Sequence, residues 1–203
     1  MDASDVDLLR AWQSGDQPAG GELLRRHLRA VHAFFAGKVD VVAVDDLAQR
    51  TFEAVARLRD DVRLDAGFRA FLFGVARLEL LRHLDEWRRR GSRFDPLETS
   101  LEALGSGPVS AVVDTEVRER IAAALRRLPI DFQLALELHY WDDLSLAEIA
   151  GALDIPIGTV KSRLHRARSQ LRRQLEVIGR GDPALEHTLS QVAEWEQSAT
   201  GES

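Results

Sequence analysis

"LSLAEIAGALDIPIGTVKSRLHRARSQLR", residues 144–172, decides how the chain folds. Leu146, Ile149 and Ala150 give a helix of about eight residues one apolar face. "ALDIP" reads as a turn, because Asp154 tolerates a left-handed backbone and Pro156 suits the first turn of a following helix. Val160, Leu164, Ala167 and Leu171 then fall on one narrow side of that second helix. Lys161, Ser162, His165 and Arg166 spread over about 140° of a different side. The pattern is a helix-turn-helix whose second helix offers donors at its N-terminal end, as a major-groove reader does.

Charge separates this helix from an ordinary solvated one. Residues 158–175 carry six Lys/Arg and no Asp or Glu, in a chain whose formal net charge is −6. Solvated helices normally mix signs for i,i+4 pairing. An acid-free tract in an acidic protein points to phosphate. With four such contacts, log affinity should fall with log salt at a slope of roughly −3.6.

Working outward, the patterns are helical throughout. "GDP" and its neighbours interrupt the basic helix near 179–183, and Leu185, Leu189, Val192 and Trp195 mark one more amphipathic helix in an acidic tail. Upstream, helices are expected over 115–128 and 131–140. Residues 91–113 mix Gly, Ser and Pro and read as a linker of about 23 residues, able to reach roughly 75–80 Å when extended. The N-terminal half should hold four helices. Ser4 and Asp7 form a capping-box pattern before the first, and "GDQPAGG" breaks it. The second runs from about 22 to 35 with Leu24, Leu28, Val31 and Phe35 on one face. Asp45 caps the third, striped by Leu47, Thr51, Val55 and Leu58, and the fourth spans about 68–90. The expected architecture is all-α: two small helical domains, residues 1–92 and 115–178, joined by linker 93–114 and followed by an extension over 179–203.

Composition excludes several classes. With no cysteine there is no disulfide, thiolate nucleophile or Cys-ligated zinc. No apolar run reaches the roughly 18 residues that span a bilayer, and the acidic start lacks a signal-peptide pattern. A cytoplasmic protein without membrane insertion is expected. The six histidines lack metal-type spacing. The pairs Asp45–Asp46, Asp60–Asp61 and Asp142–Asp143 are read as helix caps rather than acid/base machinery. Trp87, beside Arg88–Arg90, is a core anchor or a DNA-stacking ring. No catalytic constellation, metal site or cofactor site is evident, so the protein is not expected to be an enzyme.

The residues quoted first closely resemble the domain 4 signature of bacterial RNA polymerase sigma factors of the extracytoplasmic-function (ECF) group, above all "GTVKSRLHRAR". "DDLAQRTFEAVARL" resembles that family's polymerase-binding helix, and "FRAFLFGVARLELLRHLDEWRRR" its −10 helix. The resemblance covers about residues 5–176. It implies a sigma domain 2 and a sigma domain 4. Lys161, Ser162, His165 and Arg166 would face −35 bases, with Thr159, Arg163 and Arg168 nearer phosphates. Arg63, Asp65, Arg77 and Leu78 would lie at the −10 element. Asp46, Gln49 and Arg50 would meet the coiled-coil clamp of the polymerase β′ subunit. Implied partners are core RNA polymerase (β′ clamp and β flap), promoter DNA and an anti-sigma factor. The sequence departs from the family where Arg50 replaces a usual Glu, Leu78 a common Asn, and Gly74 a usual basic residue. A free-standing helix-turn-helix regulator remains an alternative, as does a helical adaptor for a protein partner.

Overall fold

The computed structural model describes residues 3–62, 67–89 and 115–178. Among them lie eight α-helices: α1 (Asp5–Gln13), α2 (Gln17–Phe35), α3 (Val41–Arg57), α4 (Phe68–Arg89), α5 (Thr115–Leu125), α6 (Ile130–Tyr140), α7 (Leu146–Leu153) and α8 (Ile157–Ile178). The expected linker and tail helix fall outside the described residues.

The first half follows its caps. The Asp7 N–H donates to Ser4 Oγ and the Ser4 N–H to Asp7 Oδ2, both at 3.2 Å, completing the expected capping box. α2 starts earlier than its composition predicts. Asp16 accepts from the Ala19 N–H at 3.2 Å, and a proline occupies the first turn, so only Gly15 (φ 104°) breaks the chain. Gly20 lies inside the helix because the Trp12 indole rests on it. The buried face of α2 also differs from the expected one. Leu23, Val31, Phe34 and Phe35 are buried, whereas Leu28 is 43% exposed. His27 occupies the inward position between them, its Nε2 2.6 Å from Asp5 and its ring 5.4 Å from that of Phe68. α3 is capped by Asp40, which accepts from the Ala43 N–H at 2.9 Å, so the expected Asp45 cap is corrected: Asp45 sits a turn further on and pairs with His32 at 3.3 Å. Leu47, Thr51 and Val55 are fully buried, and the Thr51 hydroxyl donates to the Leu47 carbonyl at 2.8 Å. Leu58, read as a fourth stripe residue, ends the helix partly exposed.

The second half is built round α6, whose Leu134, Leu136 and Leu138 are all fully buried on different sides. α5 stops three residues before the expected Leu128. Arg127 and Leu128 bond back to Ala124 and Leu125 in a tight i−3 turn ahead of Pro129. α7 opens on a second capping box, Ser145 with Glu148. Asp154 closes it with the expected left-handed backbone (φ 53°). The Pro156 carbonyl then accepts from the Thr159 and Val160 N–H groups to start α8. Val160, Leu164, Ala167 and Leu171 are buried as read, and Leu175 continues the stripe.

The two halves are not held apart. Buried residues from both form one continuous cluster. α4 lies against α7 at a crossing of small residues. A Cβ on Gly151 would stand 3.8 Å from that of Ala70, and one on Gly74 would stand 3.4 Å from the Ala152 carbonyl oxygen. Gly74 is therefore a close-approach position, where a side chain would press on the α7 backbone.

Candidate nucleic-acid interface

α8 carries the candidate site, and its orientation is fixed from beneath. The buried stripe seats it on α5, α6 and α7, so what remains outside is set by helical period. Thr159, Lys161, His165 and Arg166 are exposed and Ser162 is half-buried. The Ser162 hydroxyl donates to the Thr159 carbonyl at 3.0 Å and stands 3.5 Å from an Arg166 nitrogen. The first three turns thus bring five of the seven predicted −35 side chains to one end of one face.

Two basic residues predicted nearer phosphates are turned inward. Arg163 has 16% of its side chain exposed and lies 3.6 Å from Asp131 at the start of α6. Arg168 donates to the Tyr140 hydroxyl at 3.0 Å. At 163 and 168 the helix presents its flanks, and long arginine stems reach the neighbouring helix from there. Arg173, one of the six basic residues of the acid-free tract, is exposed two turns further on and extends the basic face.

The polymerase-facing candidates share the exposed side of α3. Arg50 pairs with Asp46 at 2.8 Å, one turn apart, and Gln49 donates to Glu53 at 2.8 Å. Val41 and Val42, 64% and 87% exposed, flank this surface at the helix start. On α4, Leu78 is 51% exposed, while Arg77 is half-buried with its Nε unpartnered. Arg63 and Asp65 lie outside the described residues. Trp87 stands 5.9 Å from the ring of His83. No described helix is long and apolar enough to cross a membrane.

One polar group escaped the sequence reading. Lys38, between α2 and α3, is buried and pairs with Glu137 of α6, to which Gln133 also donates at 3.0 Å. Asp142, read as a cap, lies beside them. Burial, and then the neighbouring Glu137, push its carboxyl up to about 7, against the opposing pull of Lys38 and Arg69. The cap of α7 is Ser145 instead.

Comparison with known proteins agrees with this arrangement. Residues 118–171 match the family model described as sigma-70, region 4. The ECF RNA polymerase sigma-E factors of Salmonella typhimurium and Escherichia coli K12 are each 30% identical over 183 residues, covering 86% of this chain and 96% of theirs. The Haemophilus influenzae sigma-E factor is 28% identical over the same length. Among solved structures, CnrH in complex with the cytosolic domain of CnrY aligns with a TM-score of 0.61 and 26% identity, over 85% of this chain and 97% of that one. The sigma factor RpoE of Bartonella quintana, solved with the anti-sigma factor NepR, has the same fold, with a TM-score of 0.59 and 24% identity over 76% and 93% of the two chains.

Proposed function

The chain belongs to the extracytoplasmic-function group of RNA polymerase sigma factors, and from that premise we propose which of its residues do the work. As a sigma factor it binds core RNA polymerase and directs promoter-specific initiation. The observation that carries the residue assignment is the acid-free outer face of α8, with its donors gathered in the first three turns.

Lys161, Ser162, His165 and Arg166 read bases of the −35 element, and Thr159 with the α8 N-terminus holds a phosphate. Arg163 and Arg168 brace the reading helix against Asp131 and Tyr140. They reach phosphates only by leaving those partners. Residues 115–178 form the −35 domain and 1–92 the domain for polymerase and the −10 element, with 93–114 linking them and 179–203 as an extension. Arg63, Asp65, Arg77 and Leu78 act at the −10 element. Asp46, Gln49 and Arg50 dock on the β′ clamp, with Val41 and Val42 adding apolar contact; the −35 domain meets the β flap. An anti-sigma factor binds and restrains the protein, a partner of the kind that NepR is for RpoE of Bartonella quintana, and the work is cytoplasmic.

Co-elution with core polymerase on gel filtration tests the premise. Loss of co-elution with salt-sensitive DNA binding intact would favour a free-standing regulator. Within the sigma reading, Lys161→Ala and Arg166→Ala should each cost about 1–3 kcal/mol at particular −35 base pairs. Arg173→Ala should weaken all sequences alike and lower the salt slope by about 0.9. Footprinting titrations on a mutated −35 series separate the two patterns.

Arg50 gives a prediction of opposite sign. Its exposed pair with Asp46 is worth only about 0.3–0.5 kcal/mol to the helix, yet it masks an acid proposed to meet the clamp. Arg50→Glu should tighten polymerase binding several-fold at low salt and lose most of that gain at high salt. Unchanged affinity in a fluorescence-anisotropy titration would remove Arg50 from the docking surface.

A further inference from the structure

Lysine is almost absent from a chain rich in arginine. Of 27 basic residues only Lys38 and Lys161 are lysine. The two side chains differ in reactivity. A guanidinium stays protonated in proteins, whereas a lysine ammonium that sheds its proton becomes an amine that acyl donors modify. Acylation thus has two side-chain nitrogens to choose from, and the structure puts them in opposite environments.

Lys38 is closed to reagents. Its side chain is 1% exposed and its ammonium pairs with Glu137. It also donates to the Phe34 carbonyl and lies 4.9 Å from the Phe34 ring centre. To attack an acyl donor, Nζ would have to leave these partners and strand a buried carboxylate.

Lys161 is open. It is exposed in the second turn of α8, and among the described residues no hydrogen bond or ion pair engages its ammonium. Helical side chains lean toward the N-terminus, over the residues three and four positions back. For Lys161 these are Gly158 and Ile157. A Cβ on Gly158 would meet nothing within 4 Å, so that side is uncrowded. Ile157 is 45% exposed and gives the lysine stem an apolar rest. Residues 158–175 hold no acid, and Arg166 is exposed on the same face, so an anionic donor is attracted there.

We propose that Lys161 is an acylation site, and that the donor is a small acyl phosphate. The unprotonated Nζ attacks the acyl carbonyl carbon and a C–N amide bond forms. The bond from that carbon to the phosphate oxygen breaks, inorganic phosphate leaves with the electron pair, and the surplus N–H proton passes to water. Nothing is oxidised or reduced. The product keeps one N–H donor and gains a carbonyl acceptor, having lost the charge and two donors of the ammonium. On the −35 reading of α8, on which this consequence rests, the change removes a base-reading cation. Arg163 and Arg168, which brace the helix, are untouched, so promoter reading is lost without loss of the fold.

The test treats the full-length chain with acetyl phosphate and maps the products by peptide mass. The native chain should carry its lysine acetyl group on Lys161 alone, and the chain unfolded in urea should carry it on both lysines. The peptide bearing the α-amino group is scored separately. The −35 duplex of the footprinting series, added first, should protect Lys161. Treated wild type should bind that duplex at least about fivefold more weakly, the lower end for loss of one good base contact. Lys161→Arg should bind equally before and after treatment, whatever its starting affinity. The proposal is overturned by an unmodified Lys161, by Lys38 reacting as readily in the native chain, or by an acetylated chain that binds as tightly as before. Failure of the −35 reading has another signature. Lys161→Ala would then bind as tightly as wild type and the duplex would give no protection, while the acetyl group still maps to Lys161. That pattern keeps the acylation site and overturns its effect on promoter reading.

Discussion

Lys38→Met is expected to destabilise the closed chain by roughly 3–5 kcal/mol, the usual penalty for stripping one partner from a buried ion pair. Glu137 would keep only the 3.0 Å hydrogen bond from Gln133, too little for a carboxylate that is 5% exposed. The chain has an escape that most buried pairs lack, since parting the two halves returns Glu137 to water. Urea titrations followed by tryptophan fluorescence should therefore change shape as well as midpoint. Wild type should unfold in one transition, and the variant in two, with a lower first midpoint. Lys38→Met combined with Glu137→Leu removes both charges and should regain most of the loss. A single transition at the wild-type midpoint would show that the pair contributes nothing to holding the halves together.

Gly20→Ala is the second large effect. A Cβ at position 20 would lie 2.4 Å from Trp12 Nε1 and 2.5 Å from two ring carbons, and Trp12 is 3% exposed. The ring has little freedom to retreat, since Arg59 covers it at 5.8 Å from above. Overpacking of this kind costs up to about 3 kcal/mol, and alanine's better helix propensity offsets about 1 of it. The net should lower Tm by roughly 2–8 °C. Gly21→Ala is the matched control. Its Cβ meets nothing within 4 Å, so only the propensity gain of about 1 kcal/mol remains and Tm should rise. Equal shifts from the two substitutions in calorimetry would mean that the Trp12 contact is not formed.

What could be read from the sequence follows from how far apart the interacting residues lie. The helix-turn-helix was legible because its signals are local. Asp154, Pro156 and the stripe Val160, Leu164, Ala167 and Leu171 all act within a few turns of one another. The inward turn of Arg163 and Arg168 was not legible, because a long side chain on a helix flank goes where a partner is, and Asp131 and Tyr140 belong to another helix. On α2 the reading skipped His27 as polar and so chose a neighbouring face. Only the distant Asp5 and Phe68 make a core position acceptable to an imidazole, and burial holds that ring below its ordinary pKa. Gly20 looked like a helix breaker for the same kind of reason, since the ring it accommodates is on α1. Lys38 and Glu137 stand 99 positions apart, and no periodicity connects them.

The crossing of α4 with α7 has a thermodynamic consequence that follows from the two helices being parts of one polypeptide. Their encounter is unimolecular, and covalently joined partners typically see one another at an effective concentration on the order of millimolar. Contacts worth only about 4 kcal/mol, equivalent to a millimolar dissociation constant, therefore suffice to close them. A surface of small residues and one buried ion pair, too weak to hold two separate molecules, can then keep a single molecule shut. A partner that grips both halves with nanomolar affinity commands about 12 kcal/mol and would open it with ample surplus. Weak contact surfaces of this kind can hold together two halves of one chain that would part as separate molecules.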